Sequence, residues 1–389
     1  RLKAVAEVAD IVIATTFLDE PIRIPAGRLA AAGVESSEGS VTEWRIDAAR
    51  LSIGPDAAVV NGDIAFSPAE TRLDLNVVAE SLDWNEIERI SARMAARRPG
   101  ESRPVRGRVS LRAEHFIIDR FRNTPFYADA AITPQGANVL IERAGFCGIT
   151  LIGRISFDGP MVDAHLVPVA EGMALDSVVS CLTAEKSKIT GNFNLNGALQ
   201  VNARREGLAK ALEGRFTVVS EDGSILQSIF FARLLSLLNL TEIYRGQLPD
   251  LRSQGLDYKR SVAAIEIKDG TVFVNDWSID GRTVWIGSRG EIDIASQKID
   301  FTIMVSPFKT IDRIINSIPG IRWILGGRLV AIPMRATGDL EDPQVVALSP
   351  SAVGTSIMEM VQRTLMLPIE IIQPLVPGLE APESSTITR

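Results

Sequence analysis

Side chains that do chemistry are scarce in this sequence. Among 389 residues there are two histidines, His115 and His165, and two cysteines, Cys147 and Cys181. Two cysteines so far apart make no zinc site, which needs clustered Cys, His or carboxylate ligands. They stand either as buried thiols or as one disulfide closing a loop of intermediate size. Each histidine lies inside a strand-like segment, where a surface or satisfied core position is the ordinary reading and a ligand or base the rarer one. The sequence has no Gly-x-Ser-x-Gly elbow and no His-Glu-x-x-His pair, and Gly326-Gly327-Arg328 lacks the Lys-Ser/Thr end of a phosphate loop. No nucleophile, base and orienting group come together, so a non-enzymatic protein with no cofactor is expected.

Charge of one sign is missing too. Forty-one basic and 48 acidic residues are mixed along the chain for a net charge of −7. No basic stripe interleaved with aromatics appears, which argues against nucleic acid as a partner. Long apolar runs are absent as well: the oiliest stretch, 225–240, is short for a bilayer and carries Gln227, Ser228, Arg233, Ser236 and Asn239. No signal peptide is read. An opening Arg1 in place of methionine is expected of a piece of a longer polypeptide, with any membrane anchor upstream.

What is plentiful is alternation. A hydrophobic content of 46% excludes a disordered chain. Ala263, Ile265 and Ile267 alternate with Glu266 and Lys268; Ile292 and Ile294 with Glu291 and Asp293; Ile299, Phe301, Ile303 and Val305 with Asp300 and Thr302. A period of two gives a strand one wet face and one oily face. Asp269-Gly270 and Asp280-Gly281 accept positive φ and are expected to close hairpins. Asn61-Gly62, Asn196-Gly197 and Asp222-Gly223 carry the same signature. Similar strands are expected across residues 1–80 and 105–203, and no segment alternates long strands with long helices, so a parallel nucleotide-binding sheet is disfavoured.

Helical spacing interrupts this pattern in a few places. Trp84, Ile87, Ile90 and Met94 predict a helix near 82–98, and a short helix is expected over 174–184. Others are expected near 225–244, 310–325 and 353–367, either capping the oily sheet face or lying on a membrane surface. Three regions follow: 1–205, rich in strands with one helix; 206–350, strands with two helices; and 351–389, a helix and a loose tail. Asp339, Glu341 and Asp342 form a small acidic cluster, read as a turn in preference to a calcium or hydrolytic site because Gly338 and Pro343 flank it.

Residues 212–345 carry an ordered set of short motifs. They are Leu212-x-Gly214-x-Phe216, Asp222-Gly223-Ser224-Ile225, Leu234-Leu235-Ser236-Leu237-Leu238-Asn239 and Gly255-Leu256-Asp257-Tyr258. Gly290-Glu291-Ile292-Asp293, Ile318-Pro319-Gly320 and Gly338-Asp339-Leu340-Glu341-Asp342-Pro343 continue the series. This order resembles the C-terminal region of AsmA-like proteins, which are related to bridge-like lipid-transfer proteins. The resemblance implies a mainly β fold: an elongated, curled antiparallel sheet forming an apolar trough, capped by a few amphipathic helices. It implies a Gram-negative envelope protein in the periplasm, anchored to the inner membrane by a segment outside this chain. It further implies phospholipid as partner, carried between inner and outer membranes in support of outer-membrane homeostasis. An envelope location also favours a bond between Cys147 and Cys181.

Under this reading the groove lining is expected at Ile265, Ile267, Val272, Val274, Ile292, Ile294, Phe301 and Ile303. A tail moving along such a surface gains about 0.8 kcal/mol per buried CH₂, and a row of similar aliphatic contacts has no deep trap. Two alternatives stand beside it. The same residues could pack a closed core, making the protein a scaffold that assists envelope protein partners; or the 339–342 turn could act as a hydrolytic site.

Overall fold

The computed structural model describes residues 2–13, 22–36, 39–53, 56–89, 104–184, 186–226, 255–282, 284–307, 324–325, 329–340 and 342–348. Strands dominate them. In the first half these are β1 (Leu2–Ile13), β2 (Ile22–Ser36), β3 (Gly39–Ile53), β4 (Asp56–Phe66) and β5 (Thr71–Asp83). After the helix α1, described over 84–89, come β6 (Val105–Ile118), β7 (Phe121–Thr133), β8 (Gly136–Phe146), β9 (Ile149–Asp158) and β10 (Met161–Ala174). The helix α2 (Leu175–Thr183) leads to β11 (Asn192–Arg204), a 3₁₀ turn (Arg205–Gly207), α3 (Leu208–Ala211) and β12 (Glu213–Ile225). Then follow β13 (Leu256–Lys268), β14 (Thr271–Gly281), β15 (Val284–Asp293) and β16 (Lys298–Pro307). A two-stranded ribbon, β17 (Ile324–Leu325) with β18 (Leu329–Val330), precedes β19 (Ile332–Asp339) and β20 (Pro343–Ala347).

Strand follows strand in one sheet of 18. Each pairs with the next from β1 to β16, and β16 then takes β19, which takes β20. The β11–β12 ladder spans the boundary expected at 205–206. Every pairing is antiparallel except β5–β6. A parallel pair requires the chain to return to the starting rim through a long crossover, and residues 84–104, opening with α1, supply it.

The expected strands of 105–203 and the helix over 174–184 are present with boundaries shifted by a few residues. Most of the helix expected near 82–98, and those expected near 225–244, 310–325 and 353–367, lie outside the described residues; Ile225 instead closes β12, and Ile324–Leu325 form β17. Four expected turns are corrected: Gly62, Gly197 and Gly223 lie inside β4, β11 and β12, and at the fourth, Asp280-Gly281, Gly281 is the last paired residue of β14 and has no positive φ. Gly62 has φ +141°, and a Cβ there would sit 1.9 Å from the Asp74 carbonyl oxygen. At Gly223 it would sit 2.1 Å from the Thr190 carbonyl oxygen. These glycines serve close backbone approach rather than chain reversal.

Register shifts interrupt several ladders, among them Ile46/Ala49, Ile141/Ala144, Ala170/Met173 and Val274/Trp277. Bulges of this kind bend a strand and raise its twist. Together with the glycine creases they let so many strands curl.

Candidate functional site: an apolar face running the length of the sheet

Following register from strand to strand exposes one continuous row. Val60 faces Val77, then Leu111, Ala128, Ile141, Gly153, Leu166 and Leu199 in turn. The row continues through Gly214, Ile267, Val272, Ile292, Ile299, Gly338 and Pro343. It crosses every strand of the large sheet from β4 to β20 without a polar side chain. Directly opposed positions share a face, so this is one hydrocarbon stripe.

The other face is polar along a row that crosses β3 to β11: Arg45, Asp63, Asp74, Arg108, Ala131, Asn138, Ser156, Asp163 and Asn202, with Ala131 the one apolar member. Asp63 and Asp74 lie directly opposite, a repulsive arrangement, but each has an outward partner: Arg45 Nε is 2.9 Å from Asp63, and Arg108 Nη2 is 3.0 Å from Asp74. Arg289–Asp276 at 3.0 Å and Arg335–Asp300 at 2.5 Å repeat the device toward the C-terminal end. The bidentate bond from Arg335 holds the Asp300 carboxyl below its ordinary range. Open clefts on this charged face, such as one of about 680 Å³ bounded by Gly62, Asp74 and Arg108, lie beside the glycine creases. Among the described residues no cluster of His, Cys, Asp or Glu is placed to hold a metal.

The two rims differ. Tight turns at 67–70, 134–135, 159–160, 269–270 and 294–297 close one rim, with α3 as its helical excursion. From the other rim the chain leaves β5 for α1 and β10 for α2, and the connections 226–255 and 308–331 start there as well. Burial of the apolar face follows this division. In β5, Leu73, Leu75 and Val77 are half-buried while Ala79 is buried. In β8, Ala137 and Val139 are half-buried while Ile141 and Ala144 are buried; β11 runs from Val201 and Leu199 to Leu195 and Phe193 in the same way. In these strands hydrocarbon is buried toward the helix rim and half-buried toward the turn rim; β10 and β16 depart from this, with Val162, Ala164 and Ile299 buried at the turn rim.

A strap fixes part of the helix rim. Leu175 and Val178 of α2 pack on Ala170, Phe193 and Leu195 of the apolar face. The sulfurs of Cys147, in the β8–β9 turn, and Cys181, on α2, are bonded. Arg120 Nη2 donates to the Leu182 carbonyl at 3.0 Å. At the strap's far end the Tyr258 hydroxyl donates to the Thr190 carbonyl at 2.6 Å and lies 2.8 Å from the Ser220 hydroxyl. Burial there pushes the Tyr258 pKa up.

The eight residues expected to line a groove lie in this C-terminal part of the sheet. Ile265, Ile267, Val272 and Ile292 sit half-buried on the apolar face. Val274, Phe301 and Ile303 belong to a buried cluster with Ile279, Val305 and Met334. Ile294 falls one residue past β15, in the turn, 51% exposed. Sequence reasoning missed the extension of the face through β4–β12. The signal was present in Leu73-Asp74-Leu75-Asn76-Val77 and Asn194-Leu195-Asn196, where the period is the same.

The profile of the YhdP protein family matches residues 53–345. No curated protein and no solved structure matches the chain. The matched span runs from the last residue of β3 into β20, and so covers the apolar row from end to end. With three quarters of the chain matched, this protein belongs to the YhdP family, a branch of the AsmA-like bridge-like lipid-transfer proteins.

Proposed function

We propose that this chain binds phospholipid acyl tails along the apolar face of its sheet and passes them along it between the inner and outer membranes of a Gram-negative envelope. The observation that carries the reading is the unbroken row from Val60 to Pro343, half-buried at Leu199, Ile267, Val272 and Ile292, where it nears the turn rim, and buried at its C-terminal end, at Ile299 and Pro343. Aliphatic side chains in a folded domain bury their surface against other side chains. A row left partly open over many strands has surface available for another apolar occupant. At about 4.8 Å between strands, the 15 strands that the row crosses give roughly 70 Å of such surface along the ladder, measured on the flat.

Ile265, Ile267, Val272 and Ile292 line this face in the C-terminal half, with Leu75, Val139, Ile155 and Leu199 as their equivalents upstream. Val274, Phe301 and Ile303 form the packed floor at the C-terminal end, and Ile294 marks its rim. Transfer in this scheme involves no bond made or broken. It consists of tails sliding over similar aliphatic contacts while headgroups stay in water. A periplasmic setting, an anchor elsewhere in the polypeptide and envelope protein partners belong to the same proposal.

The buried cluster that β12–β16 and β19 share favours a second reading, in which the sheet packs only on itself and serves as an assembly scaffold. Native mass spectrometry of the purified chain separates the two. Bound phospholipid is expected, and it is expected to fall several-fold in Leu199→Asp and Ile267→Asp while the thermal transition persists. A lipid-free chain that cross-links one defined envelope protein would establish the scaffold instead.

A further inference from the structure

We propose that Arg205 is a contact for the lipid phosphate at the turn rim. This rests on the lipid reading above and adds a specific anchor for the headgroup to it. Phe157 lies on the apolar face, in register with Ala137, Val162 and Ala203. It is the last apolar residue of β9 before the turn at 159–160, so its ring marks where hydrocarbon gives way to water at the turn rim. The Arg205 guanidinium lies over that ring, 5.7 Å from its centroid. Its position is fixed from below: the Arg205 backbone N–H donates to the Pro160 carbonyl at 3.2 Å, and the next residues form the short helical excursion on β11.

A cation–π approach to an aromatic ring uses no N–H donor in a hydrogen bond, so the fork of guanidinium donors stays free to bind. A phosphate oxygen pair matches that fork. Arg205 is exposed, and among the described residues no carboxylate pairs with it, in contrast to Arg45, Arg108, Arg289 and Arg335 on the charged face. Its neighbours in sequence and register are Arg204, Lys210, Glu206 and Asp158, with Arg204 and Asp158 in register on the charged face, so no net negative charge surrounds it. A diacyl lipid with tails on the half-buried Phe157 and Ala203 has its phosphodiester at this height. The rim therefore offers a charged hydrogen bond where the tail contacts end.

The test compares two fluorescent lipids with identical tails, phosphatidylglycerol and diacylglycerol, on the wild-type chain, Arg205→Gln and Arg205→Lys. A charge-assisted bond of ordinary strength predicts about a tenfold loss of phosphatidylglycerol affinity in Arg205→Gln, unchanged diacylglycerol binding, and an intermediate value for Arg205→Lys. Unchanged phosphatidylglycerol affinity in Arg205→Gln, or an equal loss for both lipids, overturns the assignment. Binding of glycerol 3-phosphate alone that disappears in Arg205→Gln reassigns the site to a soluble phosphate. A wild-type chain that takes up neither lipid removes the lipid reading itself, and Arg205 with it.

Discussion

Gly107 adopts φ +148°, and a Cβ there would stand 1.8 Å from the Leu73 carbonyl oxygen of the neighbouring strand. No side-chain movement relieves a clash with backbone, so Gly107→Ala is expected to lower stability by about 2 kcal/mol or more; chemical denaturation measures it. The contrast between Ile303 and Ile294 is a second test at this scale. Ile303 is 1% exposed, and Ile303→Ala should cost about 2–5 kcal/mol through the cavity it leaves. Ile294, in its turn, should tolerate Asp with a change within about 0.5 kcal/mol. From sequence the two look alike, because each continues a period-two pattern. Only strand length separates them: β15 ends at Asp293. Gly62 and Gly197 were obscured for a related reason. An Asn-Gly pair suits a hairpin turn and a crowded strand interior equally well, and what decides is a neighbouring strand distant in sequence.

Elements carry the electrostatics and the strap. Asp300, on β16, has its carboxyl pKa lowered by Arg335 on β19. A lowered folded value means that the pair's contribution is complete above the ordinary carboxylate range, about pH 4. It is lost as pH falls through the lower folded value. The difference in Tm between wild type and Asp300→Asn should therefore be present at neutral pH and shrink below about pH 4. A gap that stays constant with pH would deny the pair this role. The strap predicts a redox effect. The Cys147–Cys181 bond closes a separation of 34 residues, and its removal by a Cys147→Ser and Cys181→Ser double change should cost about 3–4 kcal/mol. Its loss should also raise proteolysis near α2 before the sheet unfolds. The α2 segment was legible from its helical spacing, and the two cysteines were visible. Their bond was expected only from the envelope resemblance; the residues alone left it open, because it depends on β8, β9 and β10 pairing side by side so that a turn and a helix 34 residues apart meet at one rim.

At the scale of the whole molecule, alternation in single strands adds up to a surface only when registers agree from strand to strand. A slip of one residue anywhere would turn the apolar set to the charged face. The paired carboxylates and guanidiniums of the other face penalise such a slip, since it would carry Asp63, Asp74 and Arg108 onto hydrocarbon. The β character and the hairpins could be read from the sequence because both are local properties. The rim asymmetry could not, because it sums the destinations of connections after β5, β10, β12 and β16, all leaving on one side. Strands that are individually much alike thus end at two rims, one of them holding α2 against the apolar face.

The central claim is that lipid tails occupy one face of this sheet. A photo-cross-linking residue placed singly at Leu75, Val139, Leu199 and Ile267, and for comparison at Arg108, Arg154, Gln200 and Arg215, tests it directly in cells. Lipid adducts are predicted at the first four positions and not at the second four, so that labelling along β11 switches between Leu199 and its neighbour Gln200. Absence of adducts on the apolar face, or equal labelling of both faces, would contradict the account.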